Sequence, residues 1–251
     1  MSAALKLQVA DKFSRASAQY LKHANVQKRS AEILLANMNR RYGHMLDMGA
    51  GPMQHHNALS QKSDVLVALD LSQNMLRQGP ESAHKVCADM DMLPFLPSSF
   101  DCIFSNFAMQ WSSDLPLLLN KLYDVLKPDG SAHLSIVVDG SLREISTAWQ
   151  GVDNHCHVNR FIEFDRLLQA AREAGFSVRS ISKRCLVDIF DSPKDAMKSV
   201  KNIGANQLNS NTNRRGLVGK KSYQALLASY PLAGDCAHVS YEVAFLELTK
   251  Q

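Results

Sequence analysis

Two acids and two glycines carry the strongest chemical signal in the chain. His44-Met45-Leu46-Asp47-Met48-Gly49-Ala50-Gly51-Pro52 reads as a buried strand entering a glycine-rich turn and then a helix. Asp47 would stand at the carboxyl end of the first strand, where open α/β sheets bind ligands. Gly49 and Gly51 would let the backbone approach a bound group closely, and Pro52 suits the first helical position, where no donor is lost. The run Asp64-Val65-Leu66-Val67-Ala68-Leu69-Asp70 ends in a second acid, 19 residues beyond Gly51. That is close to the spacing at which an acid at the tip of the second strand binds ribose hydroxyls. The implied chemistry is that of a nucleotide-type cofactor. It is not a dinucleotide fingerprint, because the third glycine of G-x-G-x-x-G would fall on Gln54 and a G-x-G-x-G variant fails at Met53. Taken alone, such a turn also joins strands to helices with no ligand at all.

Further motifs follow in order. Leu46-Asp47-x-Gly49-x-Gly51, Leu69-Asp70-Leu71-Ser72-x-x-Met75-Leu76, Cys87-Ala88-Asp89-Met90, Phe100-Asp101-x-x-x-Ser105-Asn106 and Leu126-Lys127-Pro128-x-Gly130 occupy residues 46–130. Together they resemble the class I S-adenosylmethionine-dependent methyltransferases. The resemblance implies a Rossmann-like α/β fold with a seven-stranded, mostly parallel sheet, and S-adenosyl-L-methionine as cofactor. It places Asp47 and the glycine turn by the methionine portion, Asp70 on the ribose, Met75 and Met90 beside adenine and Asp89 at its amino group. Gln27, Leu71 and Asn106 complete the implied cofactor set. Met53 stands where that family usually has a third glycine.

The elements that must position these residues are legible in outline. Val9 to Tyr20 and Val26 to Met38 read as helices that precede the first strand and can fold over its carboxyl end. Strands are expected at Met45–Met48, Val65–Leu69, Val86–Ala88, Phe100–Ser105 and Ala132–Val138, with helices at 52–60, after Ser72 and at 114–126. Ser72 suits an N-cap, and Lys127-Pro128-Asp129-Gly130 would stop the helix before the fifth strand. Alternating strands and helices imply a mostly parallel sheet. After an insertion come a helix closed by Gly175, a strand from Phe176 to about Phe190 and a second insertion with helices at 193–203 and 220–230. The final strand, 239–249, would pair between strands five and six. The chain is thus one methyltransferase domain, 1–251: a helical cap at 1–41, a cofactor-binding core at 42–138, and substrate-side insertions at 139–164 and 191–235.

Composition narrows the partners. A chain of 251 residues is long enough for a full core. No apolar run approaches membrane-spanning length and no signal-peptide pattern opens the sequence, so a cytoplasmic protein with no membrane contact is expected. Five scattered cysteines do not suggest a disulfide framework. Neither His55-His56 nor His155-Cys156-His157 has a second ligand pair, so no metal is expected. The net charge of +4 is uneven. Residues 1–41 carry eight Lys/Arg against Asp11 and Glu32, residues 179–221 carry ten against Asp188, Asp191 and Asp195, and the remainder is −9. Basic segments flanking an acidic body suit an acidic partner, or are ordinary solvated helix faces. They lack interleaved aromatics and any nucleic-acid motif, so no nucleic acid is expected.

The flanks sharpen the resemblance. Phe13-Ser14-Arg15-Ala16 with Tyr20 and Gln27, Asn106 with Gln110-Trp111, Gly140-Ser141-Leu142-x-Glu144 with Trp149, Asn159-Arg160-Phe161 and Lys201-x-Ile203-Gly204-Ala205 resemble the malonyl-[acyl-carrier protein] O-methyltransferase family of biotin synthesis. That resemblance implies methylation of the free carboxyl of a malonyl thioester carried on acyl carrier protein. A carboxylate, with a pKa of about 4, is already ionised at neutral pH and needs no general base. Alignment and desolvation would do the catalysis. Tyr20, Asn106 and Trp111 are the candidate catalytic residues. Arg15, Arg143 and Arg160, with Tyr20 and Lys201, are candidates to hold the substrate. The carrier would dock on basic residues such as Lys183, Arg184, Lys194, Lys198, Arg214, Arg215, Lys220 and Lys221. Two alternatives stand beside this reading: a methyltransferase for another small acidic or quinone-like acceptor, and a non-catalytic cofactor-binding protein, motivated by Met53.

Overall fold

The structure, a computed structural model, describes residues 3–153, 155, 157–202 and 219–251. Its sheet is built from β1 (Tyr42–Met48), β2 (Ser63–Asp70), β3 (His84–Cys87), β4 (Phe100–Asn106), β5 (Leu126–Val137), β6 (Ser177–Phe190), β7 (Leu232–Ala233) and β8 (Cys236–Thr249). The strand order is β3-β2-β1-β4-β5-β8-β6, with the two-residue β7 added beside β8. β1 to β5 pair with one another in parallel, and β8 lies between β5 and β6 as expected, running antiparallel to both. β1, β4 and β5 are buried nearly throughout, as continuous apolar runs covered on both faces must be.

Each face of the sheet has its own apolar layer. On one face Val26, Ala31 and Leu34 of α2 (Asn25–Asn37) pack on Met45 and Phe104, together with α6 (Arg143–Gln150), α8 (Pro193–Asn202) and α9 (Lys220–Ala228). On the other, α5 (Leu115–Val125) sets Leu118, Leu119, Leu122 and Val125 at helical spacing against Leu46, Ile103 and Leu134. Asp114 caps α5 by accepting a hydrogen bond from the Leu117 backbone N–H at 3.0 Å. α7 (Phe164–Glu173) covers the same face beside it. α1 (Ala3–His23) lies apart from both layers, against α4 (Gln73–Leu76) and α8.

Two local expectations change. The segment after the glycine turn is not helical from Pro52: the chain makes further turns, and α3 begins only at His56 and ends at Ser60. Pro52 therefore does not occupy a first helical position. Lys127-Pro128-Asp129-Gly130 ends α5 but is not a separate loop. It forms the irregular start of β5, with a register shift against β4 between Phe100 and Cys102 and Asp129 at φ +61°. Ser72 does cap α4, accepting from the Met75 backbone N–H at 3.2 Å.

Candidate active site

The carboxyl ends of β1, β2 and β4 meet the loop after β3 in one cavity, as the sheet order requires. Gly49, Gly51, Asp70, Leu71, Met75, Asp89, Met90 and Asn106 all line it. Asp70 organises its floor. One carboxylate oxygen accepts from the Gly51 backbone N–H at 2.9 Å and the other from the Ser72 backbone N–H at 2.8 Å. Burial pushes its pKa up, and those backbone donors pull against the rise. Asp47 is 4% exposed at the end of β1. Burial first, and then the charge of Asp70, raise its pKa to about 7.

The two glycines serve different ends. A Cβ on Gly49, at φ +75°, would come within 2.2 Å of the Ala108 Cβ, so this glycine lets the loop after β4 close against the turn. Gly51, at φ +53°, faces open space within the cavity. Met53 also adopts a left-handed conformation, φ +56°, which favours the glycine usual in the resembled family. Its side chain is turned away from the cavity and packs with Ala68 and Leu76. A Cβ on Gly79 would lie 2.3 Å from the Met53 sulfur, so the absent side chain at Gly79 makes room for the one present at 53.

α1 walls the cavity through Val9, Ala10 and Phe13. Lys6 forms ion pairs with Asp89 at 2.6 Å and Asp91 at 2.5 Å, both partners being largely buried. The other Asp89 oxygen accepts from the Asp91 backbone N–H at 2.9 Å. Ser14 and Ser72 hydroxyls add a contact at 2.7 Å. Lys6 escaped sequence reasoning because a lone lysine 83 residues before its partner carries no local signal.

A second, mostly apolar cavity of about 360 Å³ adjoins the first. Phe13, Tyr20, Phe107 and Trp111 line both. Phe13 meets the Trp111 ring edge-on, with centroids 5.5 Å apart. Phe107 (φ +53°) and Leu142 (φ +57°), both lining the second cavity, hold conformations costly for bulky side chains. Tyr20 has its pKa raised far above the ordinary phenol value by burial and by Asp70, so it remains a neutral hydroxyl donor.

The remaining candidates divide. Gln27, a residue expected at the cofactor, lines the second cavity and not the first. The Asn106 amide donates to the Gln27 carbonyl oxygen at 3.0 Å and its oxygen accepts from the Ser135 hydroxyl at 2.7 Å, so it ties α2 to β4. Both ends of its side-chain amide are thus engaged within the protein while it still lines the first cavity. The expected arginines do not converge. Arg15 is exposed and pairs with Asp11, Arg143 is engaged by Glu242 and Ser240 outside the cavity, and Arg160 also lies outside it. Lys201, on α8, is the lysine that lines the cavity among the described residues. Glu144 accepts from the Ser240 hydroxyl at 2.6 Å and so fastens α6 to β8. Among the described residues no group of three or more His, Cys, Asp or Glu is placed to hold a metal ion, and no helix is long and apolar enough to cross a membrane. Cys156, Ile203, Gly204, Ala205, Arg214 and Arg215 lie outside the described residues, as does the side chain of Lys220.

A parallel sheet with a reversed final strand, and a cavity of acids and glycines at the strand ends, define a class I methyltransferase fold. The methyltransferase domain family matches residues 46–134. The YcgJ protein of Bacillus subtilis superimposes with a TM-score of 0.65 at 16% identity, over 89% of this chain and 99% of that one, a likeness of fold alone. The malonyl-[acyl-carrier protein] O-methyltransferase of Pseudescherichia vulneris is 34% identical over 94% of this chain and 94% of its own length. The chain belongs to that malonyl-[acyl-carrier protein] O-methyltransferase family. It is also 35% identical to the biotin biosynthesis bifunctional protein BioHC of Cellvibrio japonicus, over 98% of this chain but only 50% of that protein, so it spans about half the length of this relative.

Proposed function

We propose that this chain catalyses S-adenosylmethionine-dependent O-methylation of the free carboxyl of malonyl-[acyl-carrier protein], giving the malonyl methyl ester that starts pimeloyl and biotin synthesis. The observation that carries the reading is the shared wall of Phe13, Tyr20, Phe107 and Trp111 between a cavity rich in acids and glycines and an apolar one with a lysine at its edge.

The first cavity suits the cofactor. Asp70 offers carboxylate lone pairs for ribose hydroxyls, Leu71, Met75 and Met90 offer apolar surface for the base, and Asp47 lies behind the turn where the methionine end would sit. S-Adenosylmethionine, when bound, supplies an electrophilic methyl group on a sulfonium. The protein's own work is alignment. Tyr20 donates to one carboxylate oxygen of the acceptor, Lys201 attracts the carboxylate without burying its charge, and Phe13, Phe107 and Trp111 exclude water from between the cavities. A single-sided grip leaves the other oxygen free to attack. No residue is required to take a proton, because the acceptor is already ionised.

Acyl carrier protein is the proposed partner, docking on basic residues of α8 (Lys194, Lys198), of β6 (Arg184) and of α9 (Lys221). The proposed compartment is the cytoplasm, in keeping with the free cysteines Cys87, Cys102, Cys185 and Cys236. Met53, the premise of a non-catalytic protein, packs away from the cavity and leaves the Gly51 side of the turn open.

Methyl transfer from labelled S-adenosylmethionine to malonyl-acyl carrier protein, acetyl-acyl carrier protein and malonyl-CoA tests the proposal. Product from the malonyl thioesters alone is expected. Label appearing on the acetyl thioester, or on none of the three, would remove the free carboxyl as acceptor.

A further inference from the structure

Outside the acceptor cavity lies a second hollow, polar and open, of about 630 Å³. Trp149, His157, Val158 and Asn159 line both, so the hollow is a vestibule to the cavity on the side away from the cofactor. Its inner wall is firmly built. The His157 ring stacks on Trp149 with centroids 3.6 Å apart and planes 8° from parallel, and its Nε2 meets the Asp153 carboxylate at 2.8 Å.

The charged groups of this vestibule are not equivalent. The Arg143 guanidinium is committed, to Glu242 at 3.0 Å, Ser240 at 3.2 Å and Glu144 at 3.4 Å. Asp153 is held by His157 and by the His155 backbone N–H at 2.8 Å. Asp139 stands at the end of β5. Arg160 is exposed and, among the described residues, makes no ion pair. Ser146 and Thr147 of α6 line the same hollow, and their hydroxyls make no hydrogen bond among the described residues. A guanidinium and two hydroxyls that line the same hollow, none of them hydrogen-bonded among the described residues, offer a donor set for a phosphate, which accepts an arginine fork and hydroxyl protons together.

We propose that this vestibule is a subsite for the phosphate of a 4′-phosphopantetheine arm, with Arg160 as its cation and Ser146 and Thr147 as hydroxyl donors. The inference rests on the reading of the substrate as a malonyl thioester on such an arm. The arm's phosphate stays in the vestibule, its amide-bearing chain passes the Trp149–His157 wall, and the thioester lies in the acceptor cavity. Arg160 thereby serves the far end of the substrate and not the carboxylate that is methylated. The same phosphate occurs on acyl carrier protein and in coenzyme A, so both sources engage this subsite.

Steady-state methyl transfer with three malonyl thioesters tests it: malonyl-acyl carrier protein, malonyl-CoA and the phosphate-free malonyl-N-acetylcysteamine. Arg160→Ala should raise KM for the first two by about tenfold, the size of one charge-assisted hydrogen bond, and leave KM for the third unchanged. Arg160→Lys should recover part of the loss, keeping the charge without the fork. An equal rise for all three, or none for any, would overturn the proposal. Calorimetry separates its failure from failure of the proposed reaction. 4′-Phosphopantetheine should bind the wild type more tightly than pantetheine does, and Arg160→Ala should erase the difference. Equal binding of the two by the wild type would refute the subsite whatever reaction the enzyme runs.

Discussion

The two cavities share four side chains yet are built by different means. The cofactor cavity is assembled from the ends of adjacent parallel strands, so residues within a few positions of each strand tip arrive together once the sheet forms. The acceptor cavity is assembled from α1, α2, α6, α8 and the segment around His157, which meet only through long-range packing. Motif spacing therefore predicts the first far better than the second. Their chemistry divides too: buried carboxylates on one side, and apolar surface with a cation at its edge on the other.

The largest effect that would test this division is at Asp70. Asp70→Ala would remove the proposed acceptor for ribose hydroxyls and also free the Gly51 N–H, so cofactor affinity should fall by about 1 to 3 kcal/mol. Calorimetric titration reads it; an unchanged Kd would break the assignment of the first cavity. Met53→Gly comes next and acts on stability. Relief of a left-handed backbone returns about 1 kcal/mol, whereas deleting a buried methionine costs about 2 to 5, so the variant should lose stability on balance. A raised midpoint in thermal or urea unfolding would contradict the packing account.

Lys201→Ala should raise KM for malonyl-acyl carrier protein about tenfold while leaving cofactor Kd unchanged, and Arg15→Ala should alter KM little, its ion pair with Asp11 being exposed. Equal effects from both would erase the distinction between cavity and surface cations. The smallest effect concerns pH. Asp47 titrates at about 7, so its carboxylate form grows as pH rises from 6 to 8, and affinity for a cofactor carrying a cationic methionine end should grow several-fold with it. For the empty protein the sign is opposite. A proton held more tightly when folded contributes stability below the ordinary value of 3.8 that is lost as pH rises through about 7. Asp47→Asn should flatten both profiles, and a profile left unchanged would remove Asp47 from the linkage.

The same contrast explains what the sequence could and could not reveal. The strands of the parallel core, the alternation of the last strand and Ser72 as cap follow from patterns local to one element, whereas the reversed direction of the last strand and the Asp70–Gly51 hydrogen bond emerge only in the fold. The arginines could not be ranked, because only tertiary contacts decide which are consumed. Arg143 is spoken for by Glu242, nearly a hundred residues away, and Arg15 by its helical neighbour Asp11. Pro52 was misplaced because its residue type suits both a helix start and a turn, and the left-handed Met53 that follows keeps the chain turning. Gly79 and Lys6 had no local pattern; each is intelligible only beside its partner.

Helix α1 fronts the first cavity through Val9 and Ala10, and both cavities through Phe13 and Tyr20, while Lys6 fastens its beginning to the loop after β3. A ligand in either cavity thus contacts the same rigid rod. Any free-energy cost of seating that rod, once met by one ligand, would not be met again by the other. Such an arrangement would make the two occupancies cooperative, and linkage would make the cooperativity reciprocal, each ligand tightening the other by the same factor.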